Sequence, residues 1–77
     1  MNYDENFIII CQKLGEKIKN IRIKKQITIK NMSDSTGISA KYLQKIEDGK
    51  AFGVLIERHL FKIANVLNIK LHDLLDF

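Results

Sequence analysis

The sequence predicts an all-α domain of five short helices, and three observations predict it. Proline is absent and glycine occurs only four times in 77 residues, so helices can run unbroken from one cap signal to the next. Apolar residues recur at spacings of three and four, and nowhere alternate as a half-buried strand would. Cap signals, a Ser or Thr at one end and a Gly at the other, divide the chain into segments of helical length.

The first helix is expected over roughly residues 5–25, because Phe7, Cys11, Leu14, Ile18 and Ile21 follow the spacing of one helical stripe. Lys13, Lys17 and Lys24 fall mostly on its other faces. A second, short helix is expected over about 28–36, opened by Thr28 and ended by Gly37, with Met32 and Thr36 inward. Ser39 repeats the cap signal at once, so a third helix runs over about 39–48 until Asp48-Gly49 stops it, with Leu43 and Ile46 as its apolar edge. A fourth helix, about 56–67, carries Leu60, Ile63, Ala64 and Leu67 on one side. Asn68-Ile69-Lys70 is a connector, and a fifth helix over about 71–76 carries Leu71, Leu74 and Leu75. The most informative feature is the tight Gly37-Ile38-Ser39 turn. Two helices of eight or nine residues joined so closely are held at a steep angle, the arrangement of a helix-turn-helix over 28–48.

Length and composition set the boundaries. One domain over 1–77 is expected, made of an extended first helix whose leading part is 1–13, the helix-turn-helix, an apolar loop at 50–56 and the C-terminal helices at 57–77. No stretch approaches the roughly 18 apolar residues of a membrane span, and the run Phe7 to Cys11 is too short for a signal-peptide core; a soluble, intracellular chain is the expectation. Cys11 is the single cysteine, so it has no intrachain disulfide partner and is expected to pack as a small hydrophobe. His59 and His72 stand apart from any cysteine cluster, and there is no Gly-rich phosphate loop or nucleophile arrangement, so neither a metal, a cofactor nor an enzymatic reaction is expected. Both histidines read as surface or helix-end residues.

The net charge of +4 is unevenly placed. Residues 13–50 carry ten Lys/Arg against four Asp/Glu, whereas 1–12 hold only Asp4 and Glu5, and 51–77 hold three of each sign. A positive field concentrated in the middle of the chain suits a polyanionic partner; a lysine-rich solvated face is the plainer alternative.

From Leu14 to Leu75 the chain resembles the phage repressor and Cro helix-turn-helix family, also called XRE-like. The residues that carry the resemblance stand in order: Leu14-Gly15-Glu16-Lys17-Ile18 and Ile21-Arg22; Thr28 with Met32; Thr36-Gly37-Ile38-Ser39; Tyr42-Leu43; Ile46-Glu47-Asp48-Gly49-Lys50; Ile63-Ala64 and Leu67; and Leu71-His72-Asp73-Leu74-Leu75. The resemblance implies a five-helix repressor-like fold and a DNA-binding transcriptional regulator whose third helix lies in the major groove. It places base and near-base contacts at Ala40, Lys41, Gln44 and Lys45, whose side chains suit thymine methyl, guanine and adenine edges. Thr28 and Ser39, through their helix starts, and Lys30, Lys50 and the hydroxyl of Tyr42 are the expected phosphate contacts, although Tyr42 also suits burial against a neighbouring helix. Arg22 and Glu47 occupy positions that the family pairs in a structural ion pair. A prokaryotic cytoplasm or nucleoid is the implied location.

The chain departs from the family pattern in three places. Ile29 stands where a glutamine often contacts phosphate. Ser33 stands where alanine is common, and its hydroxyl is expected to bond back to a helix carbonyl. The loop after Gly49 is two residues longer than the common pattern and unusually apolar at Phe52, Val54, Leu55 and Ile56. That loop either caps the core or adds to a subunit interface. Phe7-Ile8-Ile9-Ile10 cannot all face one small core. With Phe7, Ile8, Phe52, Leu71, Leu74 and Phe77 as interface candidates, a homodimer on double-stranded DNA is expected. The alternative is a protein-interaction module on a helix-turn-helix scaffold that has lost DNA binding, with its partner at the apolar loop or the first helix.

Overall fold

The computed structural model describes residues 4–51 and 57–76, and the side chains of these except at 57 and 58. The described residues form five helices and no strand: α1 (Glu5–Lys24), α2 (Ile29–Thr36), α3 (Ala40–Glu47), α4 (Glu57–Leu67) and α5 (Leu71–Leu74). Each expected helix is present, with ends displaced by two residues or fewer, as fraying and cap assignment allow.

Local chemistry explains the boundaries. The Asp4 carboxylate accepts the Asn6 N–H at 2.7 Å and opens α1, with Glu5 in the first turn and Arg22 and Lys24 in the last, the charge order the helix dipole favours. No glycine ends α1. Gln26 takes the left-handed conformation, at φ 60°, and lets the Ile27 N–H donate to the Arg22 carbonyl at 3.0 Å. Asn68 closes α4 in the same way, at φ 57°, with the Ile69 N–H on the Ala64 carbonyl. Thr28 accepts the Asn31 N–H at 3.0 Å and Ser39 accepts the Tyr42 N–H at 3.1 Å, so both expected caps are made.

The turn between α2 and α3 is locked by side chains as well as by Gly37. The Thr36 hydroxyl donates to the Met32 carbonyl and accepts the Ile38 N–H, and the Ser33 hydroxyl donates to the Ile38 carbonyl at 2.6 Å. Ser33 was expected to bond back within its own helix. It reaches forward across the turn instead, so the serine in the place of the usual alanine is a turn clamp. With its backbone held at both ends, Ile38 drops its side chain into the core.

The core is drawn from all five helices: Leu14 and Ile18 from α1, Met32 from α2, Leu43 and Ile46 from α3, Leu60, Ile63, Ala64 and Leu67 from α4, and Leu74 from α5. Leu74 was an interface candidate; it is fully buried and unavailable to a partner, because α5 is too short to present its apolar edge anywhere but inward. Leu71 packs half-buried at the edge of the same core. Phe7 and Ile8 are half-buried, whereas Ile9 and Ile10 are each 40% exposed, as expected of four consecutive large apolar residues on one helix. Cys11 is buried, and that burial pushes its thiol pKa up, keeping it neutral and unreactive. Phe52, Phe77 and the apolar loop from 52 to 56 lie outside the described residues.

Two lysines of the basic middle segment serve the fold. Lys17 donates to the carbonyls of Asp73 and Asp76 at the end of α5, and Lys25 donates to the Leu67 carbonyl at the end of α4. Each places a cation on the carbonyl end of a helix, where orphan acceptors and the dipole both favour it.

Candidate nucleic-acid interface

The third helix has two faces with different owners. Leu43, Ile46 and Glu47 are buried, while Ala40, Lys41, Gln44 and Lys45 are exposed. Periodicity sets Lys41, Gln44 and Lys45 away from the buried stripe, whereas Ala40 lies along its edge and is exposed at the first position of the helix. Gln44 is the one of the four with a described side-chain hydrogen bond, its Nε2 donating to the Asp48 carboxylate at 3.2 Å one turn on. The bond is at the surface, so the amide can exchange it for another partner at little cost.

Of the residues expected to contact phosphate, Thr28, Lys30, Ser39 and Lys50 are exposed. Thr28 and Ser39 are exposed at the starts of α2 and α3, each already engaged as a cap, so each helix start presents a hydroxyl and the first-turn N–H groups together. Lys50 is exposed just beyond Gly49. Lys30 is exposed and pairs with Asp34 at 3.1 Å, a solvent-screened contact four residues along the same helix that holds its ammonium weakly. The structure thus leaves Lys30 and Lys50 accessible.

Tyr42 differs from the expectation of a phosphate contact. Its ring turns toward α4 and lies 6.0 Å, centroid to centroid, from that of His59, and its hydroxyl is enclosed without a hydrogen-bond partner among the described residues. Burial pushes the phenol pKa up. Packing has won over reach, because a ring at this point of α3 points sideways against α4 and the hydroxyl follows it. His59 is likewise corrected. Expected at the surface, it is half-buried with Nδ1 enclosed and without a hydrogen-bond partner among the described residues, whereas His72 is exposed beside Asp73. The signal for His59 was in the sequence: it stands four residues before Ile63 and eight before Leu67, on the edge of the α4 stripe.

What holds α3 in place is largely its contact with α1. Arg22 and Glu47 form the expected ion pair, and it is bidentate: Nε to Oε2 at 2.7 Å and a terminal nitrogen to Oε1 at 2.9 Å, with the other terminal nitrogen donating to the Ile27 carbonyl at 2.9 Å. The side chains are 12% and 1% exposed. Hydrogen bonding to Glu47 first, and its charge second, hold the guanidinium pKa above its ordinary value against the opposing effect of burial. A second contact was not anticipated as such. A Cβ on Gly15 would lie 2.2 Å from the Ile46 carbonyl oxygen and 2.8 Å from that of Glu47, so α1 and α3 touch backbone to backbone. Gly49, at φ 74°, packs against Gln12 of α1 in the same seam. Gly15 had been noticed only as part of a run of residues; what it does depends on the helix that crosses it.

No helix among the described residues is long and apolar enough to cross a membrane. No curated protein matches the chain. Residues 15–76 match the helix-turn-helix domain, a span that takes in the seam at Gly15, the locked turn, the exposed third helix and both C-terminal helices. The two short helices across that turn are thereby accounted for, and the chain belongs to the helix-turn-helix domain family.

Proposed function

We infer that this protein is a sequence-specific DNA-binding transcriptional regulator that acts as a homodimer, with α3 in the major groove of each half-site. The observation that carries the reading is the polar face of Ala40, Lys41, Gln44 and Lys45, exposed on a helix whose other side is anchored in the core. In this reading Lys41 and Lys45 donate to guanine edges, Gln44 pairs with adenine after leaving Asp48, and Ala40 touches a thymine methyl. Thr28, Ser39, Lys30 and Lys50 hold the phosphates. Tyr42 is not among them.

The dimer rests on the apolar surface left uncovered. Ile9 and Ile10 on α1, Phe61 on α4 at 55% exposure and Leu75 after α5 at 43% are large apolar side chains facing solvent, with Leu71 half-buried beside the core and Phe7 and Ile8 half-buried on α1. Two-fold pairing would set two recognition helices about 34 Å apart, one duplex turn. The proposed location is the prokaryotic cytoplasm or nucleoid, and the proposed activity involves no reaction chemistry and no cofactor. The same exposed apolar residues favour one rival, a protein-interaction module that has lost DNA binding.

One experiment decides between them. Fragments selected from genomic DNA by the protein are titrated against salt for the wild type, Lys41→Ala and Lys50→Ala. A dimer neutralising roughly 6 to 10 phosphates loses several orders of magnitude in affinity between low and moderate salt. Lys41→Ala is expected to relax preference at one base position by about 1 to 3 kcal/mol, and Lys50→Ala to weaken all sites alike. A flat salt response sinks DNA binding, and equal uniform losses from both variants sink the division of roles.

A further inference from the structure

We propose that His59 is a positioning residue for the groove-facing half of α3, acting through the ring of Tyr42; the inference rests on the DNA-binding reading above. The two ends of α3 are held by different means. Its C-terminal end is fixed on α1 by the backbone contact at Gly15, by the Arg22–Glu47 pair and by Gly49 against Gln12. None of these reaches the first turn, where Ser39, Ala40 and Lys41 stand. That turn is steadied by the clamped connection before it, with Ile38 in the core, by Leu43 in the core, and by Tyr42, whose ring meets His59 of α4 at 6.0 Å and an interplanar angle of 55°, within the range of tilted aromatic pairs. The Tyr42 N–H is also the group capped by the Ser39 hydroxyl, and Tyr42 follows Lys41 directly, so a shift of the Tyr42 backbone, which its ring contact resists, would move both neighbours.

Among the described residues, Tyr42 Oη and His59 Nδ1 are both enclosed and both lack a hydrogen-bond partner. Each such atom costs the desolvation of a polar group, and an apolar pair of similar shape would avoid that cost. What the pair supplies is a rigid ring contact between α4 and the half of α3 that carries Lys41, the kind of supporting contact a recognition surface needs to keep its geometry.

The test uses the full chain and compares His59→Leu, His59→Ala, His59→Phe and Tyr42→Phe by thermal melt without DNA, by affinity for a fragment selected by the wild type, and by affinity for unrelated duplex. At temperatures where the variants are folded, His59→Leu and His59→Ala are expected to lose about tenfold on the selected fragment and little on unrelated duplex, because only base reading depends on the tilt of the first turn. His59→Phe, which restores a ring and removes the enclosed nitrogen, is expected to return to within about threefold of the wild type and to melt no lower. Tyr42→Phe keeps the ring and is expected to behave the same way. If His59→Ala does not fold, His59→Leu carries the comparison, since it keeps most of the buried volume. The proposal is overturned if folded His59→Leu binds the selected fragment as the wild type does, if affinity for both DNAs falls in step, or if folded His59→Phe fails to recover. A wild type that binds no duplex would overturn the regulator reading, and this inference with it.

Discussion

Replacing Gly15 by alanine is expected to destabilise the fold by about 3 kcal/mol, against the sign that helix propensity predicts. In an isolated helix the change would gain up to about 1 kcal/mol, because alanine is the better helix former. Here the added methyl meets the Ile46 carbonyl oxygen at 2.2 Å and the Glu47 carbonyl oxygen at 2.8 Å. Those are backbone atoms of a neighbouring helix and cannot swing away like the end of a flexible side chain. α1 and α3 must part, and parting them loosens the Arg22–Glu47 pair and the seat of Gly49 on Gln12. For a domain of this size each kcal/mol moves the melting temperature by roughly 4–8 °C, so a fall of more than about 10 °C is expected by circular dichroism. Gly37→Ala is the control. Nothing lies within 4 Å of its added methyl, and its cost is limited to the strained φ of 76°, about 1–2 kcal/mol. A Gly15→Ala protein that melts at or above the wild type would show that the two backbones are not in contact.

Glu47→Gln is expected to cost about 3 kcal/mol while leaving the ranking of DNA sites unchanged. Both carboxylate oxygens are used by one guanidinium, and the Glu47 side chain is 1% exposed. An amide of the same shape retains one acceptor, but it turns its NH2 toward the Arg22 donors and leaves a nearly buried cation without its counter-charge. An alkaline titration would not reveal this. A group whose folded pKa is raised contributes stability below its unfolded pKa and loses it only as pH climbs through the folded value, and for Arg22 that window lies beyond the pH at which the fold can be studied. Substitution is the direct route, with a thermal melt beside a site-selection experiment. Arg22→Met combined with Glu47→Leu should recover part of the loss, since neither charge is then left buried. Unchanged melting in Glu47→Gln, or an altered site ranking, would move Glu47 out of the structural role.

These two residues differ in how far the sequence foretold them. Arg22 and Glu47 were expected as a pair from resemblance to a family that pairs those positions, and the structure supplied the bidentate geometry. Gly15 is one glycine in an otherwise regular helical stripe, and nothing within ten residues of it says that another helix crosses there. The same contrast holds for the lysines. Ten basic residues between positions 13 and 50 read as a positive field, yet Lys17 and Lys25 are committed to the carbonyl ends of α5 and α4, and Arg22 to Glu47. Charge read along the chain does not separate a cation that faces a partner from one that ties down a helix.

The sequence by itself determined the local order: five helices, their caps at Thr28 and Ser39, the stop at Gly37, and the division of α3 into an apolar edge and a polar face. These depend on interactions between residues a few positions apart, where spacing and side-chain chemistry suffice. Only the packed structure shows that Ser33 clamps the turn, that Leu74 is core, that Tyr42 turns its hydroxyl away from solvent, and that His59 of α4 meets the Tyr42 ring of α3. Apart from the Ser33 clamp, which closes on the adjoining turn, each of these depends on which helix arrives opposite a given side chain, and that is set by the packing of the whole core.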